Sequence, residues 1–97
     1  MKWPESIITA AICVVAEILD YTTSKNVSEE TLLRALERLL LASPLPRVNP
    51  KRKLRAKKDL LEELVRKGYL TLHGGRKTYM LTRTGLSKAL KECLSKN

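Results

Sequence analysis

Hydrophobic positions along this chain follow two different periods, and the period changes at Gly68. From Pro4 to Gly68 the apolar residues recur every three to four positions, which is the spacing of helices that bury one face. From Tyr69 to Leu81 they alternate with polar residues, as in strands, and afterwards the helical spacing returns. The pattern predicts an α+β, mainly helical fold of three helices, a two-stranded hairpin and a C-terminal helix. At this length we expect a single domain, residues 1–97.

The first predicted helix opens at Pro4 and ends at about Thr22. Its apolar residues form two adjacent rows, positions 8, 12, 15, 19 and positions 7, 11, 14, 18, so two faces need burial. Either a core wraps this helix, or one face packs on the core and the other on a second protomer. Taking the first and last helices as the contact of a homodimer, we predict that its interface contains Ile8, Ile12, Val15, Leu90, Cys93 and Leu94.

Helix-capping residues, prolines and glycines predict where the other helices and strands begin and end. Ser28 is predicted to cap a second helix that ends near Ala42, and Asn49-Pro50 has the pattern of a helix start. The third helix therefore runs over residues 50–67, stopped by Gly68. Gly74-Gly75 predicts a two-residue turn between strands 69–73 and 76–81, and the last helix spans about 84–95.

Charge is distributed unevenly along the chain, whose net charge is +9. Residues 1–46 hold four basic and six acidic side chains, whereas residues 47–97 hold fifteen basic and four acidic ones. Enrichment for solubility alone would spread the charge, so the asymmetry predicts one positive surface that faces a polyanion. Nucleic acid is the leading candidate, and an anionic membrane surface is the weaker one.

Other classes of function find little support. The apolar run from Ile7 to Ala16 is too short for a membrane span, and no cleavage site follows it, so we expect a cytoplasmic protein. Two cysteines and His73 are too few for a structural zinc site, and no residue is spaced to assist His73 in catalysis. We therefore expect no metal, no cofactor, no small-molecule substrate and no enzymatic activity.

The cysteines and the composition bear on the protein's origin. Cys13 and Cys93 are expected to be buried thiols, with a disulfide within or between chains left open. Glutamine and phenylalanine are absent while charged residues are abundant, which favours a thermophile. A cytosolic disulfide is plausible in a hyperthermophile.

The segment from Leu61 to Gly85 resembles winged-helix transcription regulators of the MarR and PadR kind, including the small versions of archaea and their viruses. The resemblance lies in Leu61-x-x-Leu64-x-x-x-Gly68-Tyr69-Leu70, in the hairpin, and in Tyr79-x-Leu81-Thr82-x-x-Gly85. These residues span about a quarter of the chain, and the unit of third helix, hairpin and last helix to which they belong covers about half of it. The resemblance implies that residues 50–67 are a recognition helix and residues 69–81 a wing, and that the partner is double-stranded DNA. The connection over residues 43–49 is longer and richer in proline than the family's tight turn.

The recognition helix would carry most of the DNA contacts. Six cations lie at its N-terminal end, where the helix dipole disfavours them unless an anion is bound. Arginine suits bidentate contact with guanine, and only the first turns of such a helix approach base edges. The predicted DNA-binding residues are Arg47, Lys51, Arg52, Lys53, Arg55, Lys57, Lys58, His73, Arg76 and Lys77. An ordinary solvated helix face and a plain solvated hairpin tip are the alternatives.

The sequence thus predicts a homodimeric transcriptional regulator that recognises specific duplex sites. Two other functions remain open at this stage. One is a winged-helix adaptor in a transcription, replication or ribosomal assembly, whose basic face contacts RNA or an acidic protein. The other is an architectural DNA binder without sequence preference, which would bind unrelated duplexes equally.

Overall fold

The structure is a computed structural model that describes residues 3–42, 50–75 and 77–94, with the side chains of residues 50–55 left out of the description. The helices are α1 (Glu5–Ile18), α2 (Glu29–Ala42), α3 (Pro50–Arg66) and α4 (Arg83–Ala89), the last of which continues as a π-helical turn, Leu90–Leu94. The strands are β1 (Asn26–Ser28), β2 (Leu70–Leu72) and β3 (Thr78–Leu81). The mainly helical α+β prediction is confirmed.

β1 was not predicted, and it makes the sheet three-stranded. The order is β1-β3-β2, with both pairs antiparallel. Val27 lies opposite Tyr79, and Ser28 lies opposite Thr78. β1 has three residues and one apolar side chain, which is too short for an alternating pattern, so its sequence does not predict a strand. It forms because the free edge of β3 offers unpaired backbone groups.

The hairpin has a different register from the one predicted. Leu72 pairs with Tyr79, and the amide of His73 donates to the carbonyl of Thr78 over 2.9 Å, so four residues, 74–77, connect the strands. The predicted two-residue turn is therefore wrong. The register is shifted by two residues, and the strand period is also two, so every side chain stays on its predicted face. Leu70, Tyr79 and Leu81 are buried, whereas Leu72 is exposed.

The first helix is shorter than predicted. It ends at Ile18, and Asp20 and Tyr21 both have positive φ angles, 55° and 49°. The amide of Tyr21 donates to the carbonyl of Ala16 over 2.8 Å, which satisfies the helix end. Aspartate and tyrosine are not the glycine that usually marks such an end, so the sequence lacked the usual stop signal.

The core is one cluster to which every helix contributes. α1 supplies Ile8, Ile12 and Val15, all with no exposed surface. The predicted dimer interface is therefore wrong at these three positions, because the chain's own core encloses them. The remaining predicted interface residues lie in the π-helical turn: Leu90 and Leu94 are exposed, and Cys93 is half-buried.

The start of α2 and the end of α3 lie close to the positions predicted from the sequence. The amide of Thr31 donates to Ser28 Oγ over 3.3 Å, which confirms Ser28 as the cap of α2. α3 ends one residue before the predicted position. Gly68 has φ +81°, and the amide of Tyr69 donates to the carbonyl of Leu64 over 3.0 Å.

A single junction fixes α3, the hairpin and α4 relative to one another. Thr82 Oγ1 accepts a hydrogen bond from the amide of Gly85 over 2.9 Å and donates one to the carbonyl of Gly68. The amide of Thr82 donates to the carbonyl of Tyr69 over 3.1 Å. Gly85 lies so close to Tyr69 that a Cβ there would come within 2.8 Å of the Tyr69 carbonyl carbon. We call these four residues, Gly68, Tyr69, Thr82 and Gly85, the α3–α4 junction.

Cys13 and Cys93 form a disulfide, so the expectation of two free thiols is wrong. Their Cα atoms are 5.8 Å apart, and the bridge connects the middle of α1 to the π-helical turn across 80 positions of sequence. None of the residues of that turn is buried. The bridge is therefore a principal link between the end of the described chain and the core.

Replacing Gly85 by alanine tests the junction. We predict that Gly85→Ala destabilises the fold by about 1–3 kcal/mol, because the added methyl group collides with backbone rather than with a movable side chain. Gly75→Ala is the control, since nothing lies within 4 Å of a Cβ at that position. Urea unfolding followed by circular dichroism measures both, and equal midpoints would contradict the account.

Reduction tests the disulfide. Closing so long a loop restricts the unfolded chain, and we predict that its reduction lowers the free energy of unfolding by about 4 kcal/mol. Thermal unfolding with and without a dithiol reductant measures the change. The variant Cys13→Ser/Cys93→Ser should have the lower stability and no response to reductant. A wild type whose unfolding is insensitive to reductant would count against the bridge.

Candidate nucleic-acid interface

α3 is the element on which most of the predicted DNA contacts fall. Lys51, Arg52, Lys53 and Arg55 belong to its first turns, and their side chains lie outside the described residues, as do Arg47 and Arg76 entirely. The later turns are anchored by Leu60, Leu61 and Leu64, each at most 1% exposed. The basic end of α3 is thus one end of a helix whose other end is fixed in the core.

The exposed residues of α3 define its outward side. Lys58, Glu62 and Arg66 are exposed and follow one another at four-residue spacing. Residues three and four apart share a helix face, so positions 51 and 55 continue this row towards the N-terminus. The outward row therefore changes from basic positions in the first turns to mixed charge in the last ones.

A second row of α3 is covered by the start of the chain. Trp3 is 8% exposed, and its Nε1 donates to Asp59 Oδ2 over 3.0 Å. Trp3, Pro4 and Glu5 also line a crevice with Glu63 and Lys67. Position 52 lies on this row, at the spacing of 59 and 63, and not on the outward row. Position 55 lies on the outward row, so positions 52 and 55 belong to neighbouring rows of the helix.

Lys57 contacts the chain itself. Its Nζ lies 3.0 Å from Glu37 Oε2 of α2, and both side chains are about one-third exposed. Lys57 stays a predicted DNA contact, and the structure adds that its ammonium group pairs with a carboxylate between α2 and α3. The signal was present in the sequence: position 57 lies three residues before Leu60 and seven before Leu64, inside the apolar row.

The hairpin contributes two described candidates. His73 and Lys77 are both exposed near the turn. The carbonyl of Lys77 accepts a hydrogen bond from the amide of Glu29 over 2.8 Å, which ties the turn to the start of α2. Lys58 belongs to α3, whereas these two residues belong to the hairpin. The candidate interface therefore consists of two separate basic elements, α3 and the hairpin.

Two pKa shifts lie outside this interface. The Lys88 pKa is raised, chiefly by its hydrogen bond to Glu5, which lies 3.1 Å away. Burial, with a further contribution from Glu29, raises the pKa of Tyr79. Both shifts favour the form present at neutral pH, so neither group becomes an acid or base of the kind catalysis needs.

The described part of the chain contains neither a membrane-spanning helix nor a cluster of metal ligands. None of its helices has the length and apolar character that crossing a bilayer requires. Among the same residues, no three histidine, cysteine, aspartate or glutamate side chains converge on a point where a metal ion would bind.

Comparison with family models, with curated proteins and with solved structures found no match to this chain. Its function is therefore argued from residues and geometry.

Substitution of the adjacent residues Lys57 and Lys58 tests which side of α3 faces α2. We predict that Lys57 and Glu37 show a coupling free energy of about 0.5–1 kcal/mol in a double-mutant cycle of Lys57→Ala and Glu37→Gln, because they form a half-buried ion pair. Lys58→Ala with Glu37→Gln should show none, since Lys58 is exposed. Urea unfolding of the variants gives both values, and coupling of Glu37 to Lys58 instead would contradict the described orientation.

Proposed function

We propose that this chain is a winged-helix protein that binds specific sites on double-stranded DNA and regulates transcription. In this proposal α3 enters the major groove, and the hairpin β2–β3 contacts the adjacent backbone or minor groove. The observation that carries it is the concentration of six cations between positions 51 and 58, in the first turns of a helix anchored at its far end.

The order of elements supports the winged-helix part of the proposal. A short strand between the first two helices pairs with the second strand of a hairpin, and α3 directly precedes that hairpin. The residues on which the family resemblance depends, Gly68, Tyr69, Thr82 and Gly85, contact one another at the α3–α4 junction. This contact supports the proposal that α3 and the hairpin act together as a recognition helix and wing.

Electrostatics supports DNA as the ligand. Cations at a helix N-terminus cost about 0.3–1 kcal/mol each through the helix dipole. Of the described cations at this end, Lys57 is neutralised by Glu37, whereas Lys58 is exposed and forms no described ion pair. A phosphate backbone offsets the cost of such charges, and a groove about 12 Å wide admits one helix.

The outward row of α3 also ranks the candidate contacts. Position 55 is on the row of Lys58, whereas position 52 is on the row that the N-terminal segment covers further along the helix. We therefore assign base contact first to Arg55, and phosphate contact to Lys58.

Selection of bound duplexes from a random pool tests the proposed specificity. Enrichment of a motif is the expected result, and a regulator should prefer its site over unrelated duplexes by roughly 10³-fold or more. Equal recovery of all sequences would favour an architectural binder instead. Preference for structured RNA over duplex DNA at the same salt concentration would favour the adaptor.

Substitution of single arginines tests the proposed position of the groove contacts. We predict that Arg55→Ala weakens binding to the selected site by about 1–3 kcal/mol and relaxes base preference. Arg66→Ala is the matched control: it lies on the same row, about 16 Å along the helix, and is paired with Glu63 at 2.6 Å. Lys58→Ala should weaken all duplexes alike. Fluorescence anisotropy measures these affinities, and a larger effect of Arg66→Ala than of Arg55→Ala would refute the assignment.

A further inference from the structure

A groove between α1 and α2 is lined by the side of α1 that faces away from the core. Its apolar lining is formed by Ala10, Val14, Ile18, Ala35 and Leu39. It continues past Cys13 and Cys93 to the π-helical turn, where the adjoining part encloses about 680 Å³. Each of the five apolar residues is only partly buried. A helix that is apolar on all sides is normally enclosed, so this second face of α1 lacks a covering partner in the single chain.

The charged residues of the groove do not favour a polyanion as its occupant. Glu5, Glu17 and Glu92 line it, and Arg38 is the single cation among the lining residues that the structure describes. Lys88 pairs with Glu5 at 3.1 Å and with Glu92 at 3.8 Å, so Glu17 and Arg38 are the charged lining residues without a described ion pair. The groove contains no residue of α3 or of the hairpin, so a partner bound there leaves the proposed DNA interface free.

Glu17 and Arg38 distinguish this face further. Both are exposed, both line the same groove, and in the described part of the chain neither forms an ion pair. Several other acidic groups do pair, such as Glu37 with Lys57 and Glu63 with Arg66. A two-fold axis through the groove would bring Glu17 of each copy to Arg38 of the other, since an isologous contact repeats each pairing twice.

We propose that a second copy of this chain occupies the groove and forms a two-fold homodimer through Val14, Ile18 and Leu39, flanked by reciprocal Glu17–Arg38 pairs. The groove offers one unpaired carboxylate and one unpaired guanidinium group, and this self-complementary charge favours a second copy over a different protein. This surface differs from the row of Ile8, Ile12 and Val15 that the sequence suggested. The inference does not depend on DNA binding.

Reversal of one charge at a time tests the pairing. We expect Glu17→Arg and Arg38→Glu each to raise the dimer dissociation constant by about 10-fold or more, because each places like charges together twice. An equimolar mixture of the two variants should form a heterodimer with nearly wild-type affinity, since both cross-pairs are then restored. No pairing inside one chain yields that result.

Matched controls separate the pairing from a general effect of charge. Arg34→Glu makes the same change one turn away on α2, and Glu62→Arg makes the opposite change on α3, so both should leave the dimer intact. Glu17→Gln and Arg38→Gln should weaken the dimer less, and mixing them should rescue nothing. Circular dichroism of each variant reports that it remains folded.

Sedimentation equilibrium of the wild type, the variants and the mixture measures the association. A monomeric wild type across the micromolar range would overturn the proposal, and so would single variants that dimerise like the wild type. Failure of the mixture to associate would exclude the reciprocal pairs. Monomeric variants that still bind a short duplex would show that dimerisation and DNA binding are separate. A wild type that dimerises but does not bind duplex DNA would refute the proposed function and leave the dimer proposal intact.

Discussion

The close approach of the Tyr69 backbone to Gly85 is the constraint on which the arrangement of α3, the hairpin and α4 depends. α3 ends at Gly68 with a left-handed turn, and Thr82 bonds both to the Gly68 carbonyl and to the start of α4. Only a residue without a side chain lets α4 come so near that turn. Because β3 leads directly into Thr82, the same contact sets the position of the hairpin relative to α3.

A helix held in this way can present charge at its free end without losing its place. Leu60, Leu61 and Leu64 bury the later turns of α3, and the Lys57–Glu37 pair adds a contact to α2. The concentrated cations of the first turns are unfavourable for an isolated chain, and we attribute their presence to an anionic partner. Stability and function thus divide along one helix: its C-terminal half is structural, and its N-terminal half is proposed to bind.

Much of the fold could be predicted from the residues that start and stop helices and from the spacing of apolar residues. Ser28 and Gly68 marked helix ends correctly because their effects are local: a hydroxyl that accepts from a backbone amide and a residue that tolerates positive φ. β1 and the hairpin register could not be predicted, because both depend on which backbone groups of β3 remain free after folding. The end of α1 was missed because Asp20 and Tyr21 adopt left-handed geometry in place of glycine.

The candidate site divides in the same way. Helical spacing identified the basic positions in the first turns of α3. It could not show that the N-terminal segment lies over Asp59 further along the helix, because that contact joins residues 56 positions apart in the sequence. The apolar rows of α1 showed that two faces needed burial without showing which row the core takes. The structure places Ile8, Ile12 and Val15 in the core and leaves Val14 and Ile18 only partly buried.

The salt dependence of wild-type binding to duplex DNA tests the central claim most directly. A basic helix and hairpin that neutralise phosphates release counterions, so the logarithm of the affinity should fall linearly with the logarithm of the salt concentration. With about six phosphate contacts or more, the affinity should fall roughly 10³-fold or more between about 50 and 200 mM salt. An affinity that does not change over this range, or no binding at the lowest salt concentration, would contradict the account.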